Sequence, residues 1–226
     1  MIAQVQLWGS VIGAVYQDPE KDYASFQYDP AFLESSIEVS PITMPLKSQV
    51  YEFPELSRRS FHGLPGMLAD SLPDRFGNAL IDAWLATQGR SPESFNSVER
   101  LCYTGTRGMG ALEFYPSTGP SPGKSEHIQV ERLVELASEV LQNRDQLRTK
   151  LNDSEKQNAL REILSVGTSA GGARAKAVIA WNPDTNEVRS GQIHAGDGFE
   201  YWLLKFDGVS ANRDKELADP KGYGVV

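Results

Sequence analysis

Leu164-Ser-Val-Gly-Thr-Ser-Ala-Gly-Gly-Ala-Arg-Ala-Lys-Ala-Val-Ile-Ala-Trp181 is a glycine-rich turn set between a helical pattern and an apolar run. Leu160, Ile163 and Leu164 form the helical stripe before it, and Ala177–Trp181 reads as the strand after it. Such a turn lets main-chain N–H groups close on an anion. It is not a Walker loop, because no Gly-Lys-Ser/Thr ends it. It is not a dinucleotide fingerprint either, since the order is helix–loop–strand and not strand–loop–helix. Taken alone, the glycines and alanines are equally well explained as a tight turn.

Further along the chain, Phe199-Glu-Tyr-Trp-Leu-Leu-Lys-Phe206 predicts an apolar strand with one lysine in it. Alternation puts Lys205 on the face of Leu203 and Tyr201. A lysine among such neighbours is costly unless an anion or a carboxylate meets it. A gatekeeper on an edge strand is the bland alternative. A glycine loop about thirty residues upstream favours phosphate contact, because kinase folds pair loop and strand lysine in this way. Thr168 and Ser169 lie inside the loop. Their hydroxyls would by default hydrogen-bond the turn. A phosphate there would repel a bound nucleotide, which makes a regulatory phosphosite physically sensible.

Working outward, Ala177–Trp181 and Val188–Ile193 are expected as strands joined by a turn at Asn182–Asn186. Upstream, Leu133, Leu136, Ala137, Val140 and Leu141 form one helical stripe, and Asp153-Ser154 can cap the helix that follows. Ser117–Ser125 is rich in Pro, Gly and Ser, and marks a linker over 117–125 between a first domain at 1–116 and a second at 126–226. In the first domain, Val5–Tyr16 carries two apolar runs around Gly9-Ser10, a hairpin signal. Ala24–Tyr28 alternates as a third strand and Asp29-Pro30 ends it. Val39–Leu46 holds two prolines and is expected to be extended. Leu64–Leu72 predicts a short helix or turn with Pro65 near its start. Leu80, Ile81, Trp84 and Leu85 predict a helix that Gly89 stops, Ser97–Tyr103 another, and Ala111–Phe114 a strand.

The composition bounds what this chain can do. At 226 residues, 40% hydrophobic and 23% charged, it is ordinary globular material for one large domain or two small ones. A net charge of −8 argues against a broad nucleic-acid surface, and Lys47 and Arg58-Arg59 are too sparse to reverse it. No apolar run approaches a membrane span and no signal peptide is evident at Met1–Trp8, so the expected location is cytoplasmic, with no membrane partner. One cysteine, Cys102, reads as a buried thiol, and His62, His127 and His194 lack metal-ligand spacing. Asp70 and Asp74 could form a carboxylate pair for acid–base work, but local capping or pairing, for example with Arg75, is the simpler expectation. Gly105–Gly110 is adequately explained as a turn into the next strand.

Three segments together carry a resemblance. Phe61-His-Gly-Leu-Pro-Gly-Met-Leu-Ala-Asp-Ser-Leu-Pro-Asp-Arg-Phe-Gly77, Gly108-Met-Gly-Ala-Leu112 and Ser169-Ala-Gly-Gly-Ala-Arg-Ala-Lys176 resemble, in order, the signature segments of the HipA family. These are serine/threonine kinase toxins of bacterial type II toxin–antitoxin modules. The resemblance implies an α+β fold: an amino-terminal β-rich subdomain with short helices, then the start of a kinase-like lobe related to phosphoinositide 3/4-kinases. It implies that Gly171, Gly172, Ala173, Arg174, Ala175 and Lys176 line the phosphates of ATP, and that Lys205 is the nucleotide-binding strand lysine. Ser169 matches the loop serine whose autophosphorylation silences family members. The implied partners are a HipB-type helix-turn-helix antitoxin, through which DNA is touched indirectly, and a protein substrate such as glutamyl-tRNA synthetase, whose phosphorylation promotes dormancy and persistence.

The chain departs from the family in one respect. Family toxins are roughly twice as long, and their catalytic aspartate and the aspartate for Mg2+ lie in a later segment. Asp207, Asp214, Glu216 and Asp219 do not form that pattern, so catalytic residues are expected beyond Val226 and no metal ligand is assigned here. The expectation is therefore the amino-terminal part of a toxin kinase, itself inactive. The alternative is a non-catalytic interaction module, or one subunit of a split system, that binds an antitoxin or a kinase.

Overall fold

A computed structural model of the chain describes residues 1–120, 133–135, 137–138, 163–164 and 175–206. In chain order these residues form β1 (Ile2–Leu7), β2 (Ser10–Gln17), β3 (Ala24–Tyr28), α1 (Pro30–Leu33), β4 (Val50–Glu52), α2 (Arg58–Phe61), α3 (Gly66–Ala69), α4 (Arg75–Thr87), α5 (Ser97–Thr104), β5 (Leu112–Tyr115), β6 (Lys176–Asn182), β7 (Glu187–Ser190) and β8 (Glu200–Lys205). Among the described residues all strand pairs are antiparallel, with α1 between β3 and β4 and α2–α5 between β4 and β5, so the fold is a mixture of helices and antiparallel sheets. Contacts divide the chain into one unit of residues 1–72 and 95–119 and another of residues 73–94 and 120–226. The segment 73–94 falls inside the 1–116 span of the sequence-based division, yet it belongs to the second unit.

The first unit is built on a five-stranded sheet in the order β4-β3-β2-β1-β5. Its founding hairpin turns at Trp8-Gly9, one residue earlier than the Gly9-Ser10 expected, with Leu7 opposite Ser10. A tight two-residue hairpin turn of this kind needs positive φ at both central positions, and Trp8 (50°) and Gly9 (77°) supply it. Between Val5 and Gln6 the register slips, so that Ile12 is the extra residue of β2. This bulge breaks strict alternation and turns both Ile12 and Val15 inward. Their core partners include Val5, Phe26, Tyr28, Leu68, Leu101 and Phe114.

Caps fix the short helices over this core. The Asp29 carboxylate accepts from the Ala31 N–H ahead of Pro30, and Asn96 with Glu99 forms a reciprocal capping box on α5. The stretch Val39–Leu46 is a turn closed by a Ser40–Met44 bridge and not an extended run. The Tyr28 hydroxyl donates to the Met44 carbonyl at 2.8 Å, which draws that turn onto the sheet. Around the half-buried Tyr23 ring, Lys21 pairs with Glu52 and Arg58 with Asp22, both cations lying over the aromatic face.

The second unit contains α4 and a three-stranded sheet in the order β7-β6-β8. The spacing Leu80, Ile81, Trp84, Leu85 does produce a helix, and Gly89 follows its end at a φ of 70°. Phe76, Ala79, Leu80, Ile81, Ala83 and Leu85 are all buried. β6 and β7 meet through the Asn182–Asn186 turn, where the Asn182 side chain accepts from the Asp184 and Thr185 N–H groups. The linker residues 121–125, His127, most of the helical stripe at 133–141 and the Asp153-Ser154 cap lie outside the described residues.

Candidate functional site

Lys176 opens β6 at the end of the glycine-rich run, and Lys205 closes β8. The two strands are paired so that Lys176 stands directly opposite Lys205. The Phe206 N–H donates to the Ala175 carbonyl at 3.0 Å, so Ala175 and Phe206 are a hydrogen-bonded pair. Antiparallel ladders alternate, which makes the adjacent Lys176–Lys205 pair the non-hydrogen-bonded kind, with Cα atoms about 4.5 Å apart and side chains on one face. Two ammonium groups so placed repel. Ala175 and Phe206 are buried and anchor this end of the sheet.

The two lysines differ in surroundings. Lys176 is fully buried and forms an ion pair with the Asp74 carboxylate, whose own side chain is only 9% exposed. Both residues belong to the second unit. Lys205 is exposed, on the edge strand β8, whose Tyr201, Trp202 and Leu203 are exposed as well. Of the two lysines, the buried one is therefore Lys176 and not Lys205.

Asp74 serves two ends at once. As N-cap of α4 it accepts the Gly77 N–H on one oxygen at 2.9 Å, while the other oxygen takes the Lys176 ammonium. The Asn78 side chain donates to the Pro73 and Asp74 carbonyls at 2.6 and 3.0 Å, which locks the same turn. The capping role was legible in the Pro-Asp-Arg-Phe-Gly run. The ionic partner was not, because Lys176 lies 102 residues away. The signal available was that a lysine heading an apolar strand needs a carboxylate, a rule that the sequence reading applied to Lys205 alone.

Ala175, Lys176 and Lys205 are thus brought together at one end of the β6–β8 pair. Thr168, Ser169, Gly171, Gly172, Ala173 and Arg174 lie outside the described residues. Elsewhere, Cys102 is buried as expected, and burial pushes its thiol up to about 11, with Glu99 nearby adding to the rise. Arg107 lies 4.8 Å over the Tyr103 ring and donates to the Tyr103 carbonyl, so the Gly105–Gly110 segment is a pinned turn. Asp70 ends α3 and is exposed, which separates it in role from Asp74. Among the described residues there is no group of three or more His, Cys, Asp or Glu that could hold a metal ion. No helix among them is long and apolar enough to cross a membrane.

No curated protein sequence matches the chain. Among solved structures it is similar to HipA of Shewanella oneidensis MR-1, determined in the HipA, HipB and operator DNA complex of a toxin–antitoxin system. The two are 20% identical, with a TM-score of 0.43, over 83% of this chain and 37% of that one. This chain therefore spans well under half the length of the HipA it matches. The sequence pattern of the HipA N-terminal domain matches residues 3–115, half of the 226 residues, and the chain accordingly belongs to the HipA family.

Proposed function

We propose that this chain is the nucleotide-holding, amino-terminal portion of a HipA-type serine/threonine kinase toxin. The observation that carries the reading is the register of Lys176 opposite Lys205 at the exit of the glycine-rich run. Asp74 offsets one of the two adjacent positive charges. An anion seated against the loop would offset the other, and a nucleotide phosphate has the charge and size for it. On this reading the backbone of the loop from 168 and the Lys205 ammonium hold the phosphates of ATP, Gly171 through Arg174 line them, and the buried Ala175 and Lys176 anchor the end of the loop behind them. The start of the second unit's sheet is then the beginning of a kinase-like lobe.

ATP supplies the phosphoryl group in such a protein, and the acceptor is a hydroxyl of a protein substrate, glutamyl-tRNA synthetase being the family's example. Ser169, two residues before Gly171, is the proposed regulatory phosphosite. A HipB-type antitoxin is the proposed partner, with operator DNA contacted through it, in a cytoplasmic setting.

The test is calorimetric titration of the chain with ATP and Mg2+, for the parent and for Lys205→Ala. Binding that Lys205→Ala weakens at least about tenfold is expected for loss of a charge-assisted contact. Equal affinity in the two proteins, or none in either, would overturn the assignment.

A further inference from the structure

We infer that Asp74 is a positioning residue for the lysine pair, acting through Lys176. Three observations carry this. Lys176 has no exposed surface, so its ammonium cannot be satisfied by bulk water, and a carboxylate in the same unit meets it. That carboxylate is not free to wander, because its other oxygen is the N-cap acceptor of a thirteen-residue helix and the turn before it is tied by Asn78. Finally, Lys176 is the residue opposite Lys205, so whatever fixes Lys176 fixes the near end of β6 against β8.

Asp74 lies far from Lys176 in sequence, at the start of α4. A rigid helix terminus reaching a strand lysine at the exit of a glycine-rich run resembles the helix carboxylate that pairs with the strand lysine of protein kinases, but here it fixes the strand end opposite Lys205 and not the phosphate-facing cation itself. Here the helix is α4 and the device is a cap that doubles as a counter-ion. Asp74 itself does not touch the phosphates. The part of this inference that concerns ATP rests on the function proposed above. The part that concerns the order of β6 does not.

The experiment separates cap from charge. Asn is as good an N-cap as Asp but carries no charge, whereas Ala is neither. In the full chain, Asp74→Asn and Asp74→Ala are expected to weaken ATP·Mg2+ binding by the same factor, roughly tenfold, although Ala lowers the urea midpoint further. Adding Lys176→Met to Asp74→Asn is expected to weaken it no more. An Asp74→Asn protein that binds ATP like the parent, while Lys205→Ala does not, overturns the inference. So do losses in Asp74→Asn and Lys176→Met that multiply.

If the parent binds no ATP, the proposed function fails, and the inference is read without nucleotide. Hydrogen exchange of peptides covering residues 175–182 then rises in Asp74→Asn above the rest of the chain, and unchanged exchange refutes it. The parent protein gives a check that needs no variant. A 15N-lysine spectrum is expected to contain one ammonium resonance protected from solvent, missing in Lys176→Met, and its absence from the parent would also refute the inference.

Discussion

Gly13 offers a prediction on which chain-level and tertiary reasoning disagree in sign. Glycine in a strand interior is about 0.5–1 kcal/mol worse than alanine, because it loses more conformational freedom on folding. From sequence alone, Gly13→Ala in β2 should stabilise the protein. In the structure, a Cβ at Gly13 would fall well inside contact with the Gln27 carbonyl oxygen and 2.7 Å from the tip of the Phe26 ring. Neither neighbour can withdraw easily. Gln27 belongs to β3, which is paired with β2 on one side and with Val50 of β4 on the other. Phe26 is fully buried and meets Tyr28 edge-on, with ring centroids 5.0 Å apart.

Overpacking of a closed core destabilises by about 1–3 kcal/mol, which exceeds the alanine gain. A net loss of about 1–2 kcal/mol is expected, or a fall in Tm of roughly 5–15 °C for a unit of this size. Hydrogen exchange over β1–β3 with urea titration measures it. Gly110→Ala is the control: nothing lies within 4 Å of its Cβ position and its φ is not positive, so it should be neutral or slightly stabilising. A Gly13→Ala protein as stable as the control would show that the sheet gives way at this point, and would refute the packing argument.

Two further expectations concern the first unit. Burial holds the Cys102 thiol near 11, so thiol reagents at pH 8 should leave it unmodified in the native chain and react within minutes in denaturant, and rapid native labelling would contradict its burial. Hydrogen bonding to Arg58 lowers the Asp22 carboxyl from its ordinary value, and hydrogen bonding to Ser25 and Lys21 lowers that of Glu52. A depressed folded-state pKa contributes stability above the unfolded value of about 4 and loses it as pH falls through the folded value. The urea midpoint should therefore drop below about pH 4, by a small amount because both groups are exposed, and Asp22→Asn with Glu52→Gln should flatten that drop. A slope unchanged by the double substitution would rule out these two pairs as its source.

The Asp74–Lys176 pair also bears on how this chain is divided. The segment carrying Asp74 is embedded in the sequence of the amino-terminal half, yet its helix belongs to the unit that holds the glycine-rich run. A boundary placed by composition, at the Pro/Gly/Ser-rich stretch after Pro116, therefore separates α4 from the unit it belongs to. Deletions made at that boundary would remove the counter-ion of Lys176 along with the first domain, and breaking a buried pair in this way typically destabilises by about 3–5 kcal/mol.

Local chemistry determined much of this protein directly. Apolar runs around a hairpin signal placed β1 and β2, alternation placed β3, an apolar run placed β8, helical patterns placed α4 and α5, and the Asn182–Asn186 run placed the turn between β6 and β7, because each of these depends on residues within a few positions of one another. The motifs were sufficient to identify the HipA family. Tertiary structure alone decided the rest. The bulge that turns both Ile12 and Val15 inward arises from pairing with β1 and not from β2 itself. The opposition of Lys176 and Lys205 is set by strand register, which no spacing within either strand encodes. Which lysine is buried follows from the arrival of a carboxylate 102 residues away, and long-range electrostatics of that kind leaves no periodic trace in a sequence.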